Sequence, residues 1–203
     1  MPYIKRMLLC SAFLLVTSPS QAQQVQIQDT QTMQEIAFTE KSELDNWVIV
    51  NDTVMGGRSR ARIDIEKDHL VFEGYLSLEN NGGFASVRRV YNNKTWLPSN
   101  PLQIKVMGDG RQYQFRLRTN RRMDGVAYVT SFQTTKGEEQ SFTFELSDFT
   151  PQFRGRLVRG MPALSFSDIS QMGFMLAEKA PGNFELQVFS IAQSQMQLAS
   201  NAQ

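Results

Sequence analysis

The 203-residue chain holds one cysteine and one histidine. A lone thiol excludes an intrachain disulfide framework, and one Cys with one His falls short of a structural zinc site. A Ser-His-Asp triad would have to be built on His69, and no G-x-S-x-G nucleophile turn occurs. Charge of one sign is lacking as well. The 21 lysines and arginines stand against 20 acidic residues, so no global field draws the chain to nucleic acid or to an anionic membrane. No apolar run reaches the ~20 residues of a spanning helix. No long segment repeats its apolar residues at helical spacing.

What is present begins with a short apolar run, residues 7–16, behind Lys5 and Arg6 and ahead of Ser20-Gln21-Ala22. This is the pattern of a secretory signal peptide spanning residues 1–22, cut after Ala22. Cleavage would remove Cys10 and leave the two charge signs in near balance. The expected location is therefore periplasmic or secreted, an oxidising compartment entered without a thiol. Residues 23–35 are glutamine-rich and too polar to offset the entropy of ordering, so they read as a flexible linker. Residues 193–203 read as a similar disordered tail. The body, residues 36–192, is expected to be one domain; at this size a chain buries roughly 70% of its unfolded surface and needs no staple.

Period two dominates the body. Leu70, Phe72 and Leu76 alternate with Glu73, Tyr75 and Ser77; Tyr113, Phe115 and Leu117 alternate with Gln114, Arg116 and Arg118; Phe142 and Phe144 alternate with Thr143 and Glu145. Such alternation marks strands with one buried face. Turn pairs separate them: Gly56-Gly57, Gly82-Gly83, Asp109-Gly110, Asp124-Gly125 and Pro181-Gly182. Many short strands with regular turns predict an all-β sandwich or barrel. One short helical turn is expected near residues 42–47, capped by Ser42.

The stretch WVIVNDTVMGGRSRARI, residues 47–63, raises three readings. A phosphate-binding loop is excluded, because no Lys-Ser/Thr and no helix follow the glycines. A corner between two strands fits better, with glycine supplying positive φ. Asn51 and Asp52 are either a ligand-facing pair at the rim or side chains that bond nearby amides and fix the turn. Arginine is the residue type that invites a binding site, since its planar fork suits carboxylates, phosphates and aromatic faces. Arg116 and Arg118 share one strand face, as do Arg60 and Arg62. If the two strands are neighbours, their outward faces form a basic patch. Tyr113 beside Arg116 and Arg118 is a candidate sugar platform. Arg111 and Arg154 stand in loops. No catalytic residue, metal ligand or cofactor is assigned; no twelve-residue calcium loop is present.

Several ordered blocks carry a resemblance. They are Trp47 with Asn51-Asp52-Thr53-Val54-Met55-Gly56-Gly57-Arg58-Ser59, Phe72-Glu73-Gly74, the run from Leu76 to Arg88 through Asn81-Gly82-Gly83-Phe84, Gly108-Asp109-Gly110-Arg111, Phe149-Thr150-Pro151-Gln152-Phe153-Arg154-Gly155-Arg156, and Gly173-Phe174-Met175-Leu176. Together they resemble the complex I intermediate-associated protein 30 family. The resemblance implies a galactose-binding-like jelly roll, similar to family 11 carbohydrate-binding modules. It implies a non-catalytic assembly factor or chaperone holding a protein partner, a subunit of a membrane respiratory complex. It brings no catalytic residues. The leader departs from that pattern and would leave only a periplasm-facing surface within reach. A carbohydrate is the alternative ligand. The candidate binding residues are Asn51, Asp52, Arg111, Tyr113, Arg116, Arg118 and Arg154.

Overall fold

The computed structural model describes residues 34–91, 96–122 and 124–193. The expected signal peptide 1–22, nearly all of the linker 23–35 and nearly all of the tail 193–203 lie outside the described residues.

Thirteen strands are described: β1 (Gln34–Ala37), β2 (Trp47–Asn51), β3 (Arg60–Glu66), β4 (His69–Leu76), β5 (Ala85–Val90), β6 (Leu102–Gly108), β7 (Gln112–Arg118), β8 (Ala127–Gln133), β9 (Glu139–Phe144), β10 (Thr150–Phe153), β11 (Arg156–Leu157), β12 (Gln171–Leu176) and β13 (Gly182–Gln193). One sheet runs β3-β4-β13-β6-β9, with β1 added along β13; the other runs β11-β10-β8-β7-β12-β5-β2. All strand pairs are antiparallel. The result is an all-β sandwich, as the alternation predicts.

The core lies between the sheets. Leu70, Phe72, Ile104, Val106, Leu186 and Val188 of the first sheet face Val87, Tyr113, Phe115, Leu117, Phe174 and Leu176 of the second, all fully buried. Phe115 links the layers, with ring centroids 5.4 Å from Phe174 in its own sheet and 5.7 Å from Phe144 in the other. Each buried Phe side chain contributes about 2–3 kcal/mol of transfer free energy, which suffices without covalent cross-links.

The short helical turn is a 3-10 helix, Lys41–Asn46, and its start differs from expectation: Glu40 occupies the cap position and no side chain caps it. The segment is fixed by a different contact. Glu43 accepts from Arg89 through both carboxylate oxygens, at 2.5 and 3.0 Å, and from the Trp47 indole at 3.1 Å. A bidentate pair of this kind holds the turn more firmly than a serine cap.

Candidate functional site

The corner at residues 51–59 passes between the sheets, from β2 in the second to β3 in the first. A 3-10 turn, Asp52–Met55, is closed by Gly56 at φ 89°. Asp52 is 1% exposed. Its carboxylate accepts from the Ser59 amide (2.9 Å), the Ser59 hydroxyl (2.5 Å), the Gly83 amide (2.7 Å) and the Phe84 amide (3.3 Å). Burial alone would push the Asp52 carboxyl up. The Ser59 hydroxyl and the Gly83, Ser59 and Phe84 amides outweigh it and hold the group below the usual carboxylate range. The glycines follow from this packing. A Cβ at Gly57 would lie 2.4 Å from the Asp52 carboxylate, and one at Gly82 2.6 Å from it. Asp52 therefore turns inward and ties two loops together. Asn51 sits half-buried beside it, its Oδ1 without a donor among the described residues.

The tied corner pushes apolar side chains outward. Val54 is 71% and Met55 64% exposed. Asn80 donates to the Gly56 carbonyl at 3.2 Å, which brings exposed Leu78 and its loop against the same turn.

Arg111 and Tyr113 also serve the scaffold. Tyr113 points into the core and donates to Asp109 at 3.1 Å. Burial, with Asp109 adding to it, pushes its phenol up. Arg111 pairs with Glu178 at 3.1 Å and donates to the carbonyls of Ala180, Gly182 and Asn183, so it fastens the loop between β12 and β13. Arg154 adopts φ 48° and reaches Asp124 at 3.2 Å on the exposed surface.

Arg116 and Arg118 project from the outer face of the second sheet, as the alternation predicts, but they are only 9% and 5% exposed. Their neighbours are not Arg60 and Arg62, which lie on β3 in the other sheet. In register, Arg116 stands opposite Gly173 of β12, and Gly173 stands opposite Arg88 of β5. Arg118 stands opposite Gln171. Arg88, Arg116 and Arg118 thus share one face. Burial first, then repulsion from Arg88, push Arg116 down to about 10. The same causes, with Arg116 added, push Arg118 down to about 9. All three remain charged at neutral pH. Arg88 and Gln171 complete a cluster that the sequence order hides, because β12 inserts between β5 and β7.

On the outer face of the first sheet an open groove of about 1060 Å³ is lined by Arg60, Arg62, Glu73, Tyr75, Arg111 and Glu185, among others. Its carboxylates are engaged: Glu73 with Arg62 at 2.6 Å, Glu178 with Arg111, Asp109 with Tyr113, and Glu185 with Gln187 at 2.7 Å.

This sandwich, with a tied corner at its edge, is a jelly roll that resembles carbohydrate-binding modules in fold. A family 11 carbohydrate-binding module from Clostridium thermocellum matches with a TM-score of 0.56 at 15% identity, over 74% of this chain and 88% of that one. The same kind of module in complex with a β-1,3-1,4-mixed-linked tetrasaccharide matches with a TM-score of 0.56 at 15% identity, over 77% and 94%. At this identity the likeness is one of fold. The sequence profile of the complex I intermediate-associated protein 30 family matches residues 36–188, and the chain belongs to that family. The mouse protein "Complex I intermediate-associated protein 30, mitochondrial" is 29% identical over 177 residues, 74% of this chain and 52% of the mouse protein. The Caenorhabditis elegans protein "Probable complex I intermediate-associated protein 30, mitochondrial" is 24% identical over 197 residues, 81% and 58% of the two chains. This chain spans about half the length of these relatives.

The comparisons overturn one expectation. The periplasmic or secreted location read from residues 1–22 does not stand, because the mouse and both Caenorhabditis relatives are described as mitochondrial. A basic start ahead of a short apolar run is not specific to export, since organelle-targeting leaders are also basic and poor in acid. Among the described residues, no helix is long and apolar enough to cross a membrane.

Proposed function

We propose that the chain is a non-catalytic binding module that holds a protein partner, a subunit of a membrane respiratory complex, and so acts as an assembly factor. Family membership supports the respiratory-complex partner. The observation that carries the reading is the tied corner: the Asp52 carboxylate fixes the loops so that Val54 and Met55 stand out at 71% and 64% exposure. Apolar side chains held rigidly in water gain when a partner covers them, and they lose little entropy in doing so. The test is recovery of complex I subunits with the tagged chain from the native host. Recovery with the wild type and loss with Val54→Asp/Met55→Asp supports the reading. Equal recovery with both contradicts it.

A second reading is carbohydrate binding. Its support is Tyr75, 49% exposed within the groove of the first sheet between arginines and carboxylates, an arrangement suited to stacking on a sugar face while bonding its hydroxyls. Tyr113, the aromatic beside Arg116 and Arg118 in the sequence, lies in the core. Calorimetry with a mixed-linkage β-glucan tetrasaccharide, repeated with Tyr75→Ala, decides it: binding lost in the variant supports the reading, and no heat with the wild type removes it.

A further inference from the structure

The strand orders of the two sheets end on β3, β9, β11 and β2, and β2 is the unguarded one. β3 carries Arg60, Arg62, Asp64 and Glu66; β9 opens on Glu139 and is polar apart from its phenylalanines; β11 is two residues long. Charges and short strands of this kind keep an edge from pairing with another chain. β2, Trp47-Val48-Ile49-Val50-Asn51, has no charge, no proline and no bulge. Val48 is 41% and Ile49 37% exposed.

The phase of the ladder defines the open side of β2. The Tyr91 amide donates to the Ser170 carbonyl at 3.0 Å, so the odd-numbered residues of β5 bond toward β12 and the even-numbered ones toward β2. The Asp52 amide donates to the Phe84 carbonyl at 3.2 Å in the same phase. Val48 and Val50 are therefore bonded to Arg88 and Ser86, and Trp47, Ile49 and Asn51 turn their backbone groups to the open edge. The Trp47 amide is taken by the Leu44 carbonyl. The Trp47 carbonyl, both backbone groups of Ile49 and the Asn51 amide meet no partner among the described residues. A surface that covered Val48 and Ile49 without pairing this row would bury unsatisfied backbone groups. The occupant that fits is itself an extended strand.

We propose that this occupant is β2 of a second copy, paired antiparallel across a two-fold axis at Ile49. About that axis the open row is self-complementary, which a symmetric interface requires. The Ile49 amide and carbonyl meet the carbonyl and amide of their own symmetry mate. Each Asn51 amide meets the Trp47 carbonyl of the other copy, so every free group of the row finds its partner. Val48 comes to lie opposite Val50 of the second copy, and apolar β-branched side chains pack well across a strand pair. No charge in β2 meets its own image. A foreign strand would have to supply the complementary row; a second copy supplies it by symmetry. The two seven-stranded sheets then join into one. The pairing ends before Val54 and Met55, so it does not rest on the respiratory-complex reading.

The experiment is analytical ultracentrifugation of the full chain from about 1 to 200 µM, the affinity range of small interfaces. A monomer that converts to a dimer with concentration is expected. Ile49→Lys sets a lysine against its own image and should weaken the dimer at least about tenfold. Thr143→Lys on the β9 edge should leave it unchanged. Hydrogen exchange reads the backbone directly: the Ile49 and Asn51 amides should slow as the dimer forms, and those of Val48 and Val50, already bonded within the chain, should change far less.

Should Ile49→Lys not fold, Val48→Cys/Val50→Cys in a Cys10→Ser chain tests the same register. Residues opposite each other at these positions have Cα atoms about 4.5 Å apart, within reach of a disulfide. Oxidation should give a covalent dimer with both cysteines present and none with either alone. A monomer at every concentration overturns the proposal. So does a dimer that Ile49→Lys leaves intact, or one whose Ile49 and Asn51 amides gain no protection. Edge amides already protected in the monomer would assign the edge to other residues of this chain. Protection seen only with captured complex I subunits would assign it to a foreign strand. Either outcome overturns the second-copy assignment.

Discussion

The Asp52 carboxylate and Ser59 are joined twice, through the hydroxyl at 2.5 Å and the backbone amide at 2.9 Å, with both residues fully enclosed. Ser59 then passes the contact on. With its one proton given to Asp52, its hydroxyl oxygen accepts from the Ser77 amide at 3.0 Å and lies 3.2 Å from the Ser77 carbonyl. One carboxylate therefore coordinates the ends of β2, β3, β4 and the loop before β5.

Replacing Asp52 by Ala leaves the buried Ser59 amide and the half-buried Gly83 and Phe84 amides without this acceptor. Each such group costs about 1–3 kcal/mol, so Asp52→Ala is expected to lower stability by about 3 kcal/mol or more in urea unfolding. A loss below about 1 kcal/mol would show that the corner does not depend on this carboxylate.

Acid should reveal the same contact. The folded carboxyl titrates below its unfolded value, so the unfolded chain binds the proton more readily and stability rises with pH. The contribution is present above the ordinary aspartate pKa of about 3.9. It is lost as pH falls from there through the folded value. Asp52→Asn should flatten the stability profile below about pH 4, measured by thermal melts from pH 5 to pH 2. An unchanged slope would contradict the assignment.

Gly173 tests the approach of β12 to β5. A methyl group there meets backbone that cannot swing aside. Gly173→Ala is expected to cost about 3 kcal/mol and to raise amide exchange along residues 85–90. Wild-type stability would mean that the strands part easily.

Arg118 should behave in the opposite sense. Its buried charge lacks a full set of partners, and exchange of such groups for apolar ones of similar volume is often neutral or stabilising. Arg118→Met is expected to leave the melting point unchanged or to raise it by a few degrees, equivalent to about 1 kcal/mol. A fall of several kcal/mol would make Arg118 a structural residue.

Arg111 ties the loop after β12. Arg111→Ala removes the Glu178 pair and three carbonyl contacts. A loss of about 2 kcal/mol is expected, with faster amide exchange at residues 178–183 and little change elsewhere.

The strands were legible because the core is one-sided. Phe115 and Leu117 can only point inward if Arg116 and Arg118 point out, and that alternation is written in consecutive letters. The ordered glycine blocks were legible for a second reason: Gly57 and Gly82 are required by one carboxylate, so the family pattern records a packing constraint. What could not be read was which strands lie side by side. Arg60 and Arg62 resemble Arg116 and Arg118 in sequence yet belong to the other sheet. Arg88 joins Arg116 only because β12 comes between them, and no local signal encodes that register. Asp52 could equally have faced a ligand; only the convergence of Ser59, Gly83 and Phe84, from as far as 32 residues along the chain, turns it inward.

The central claim is that the corner pinned by Asp52 presents Val54 and Met55 to a protein partner. Affinity capture from the native host with tagged wild type and with Val54→Asp/Met55→Asp, run beside thermal melts of both, tests it most directly. The expected result is recovery of respiratory complex I subunits with the wild type and their loss with the variant, at melting temperatures within about 2 °C, since exposed positions contribute within ~0.5 kcal/mol to stability. Equal recovery with both proteins would contradict it.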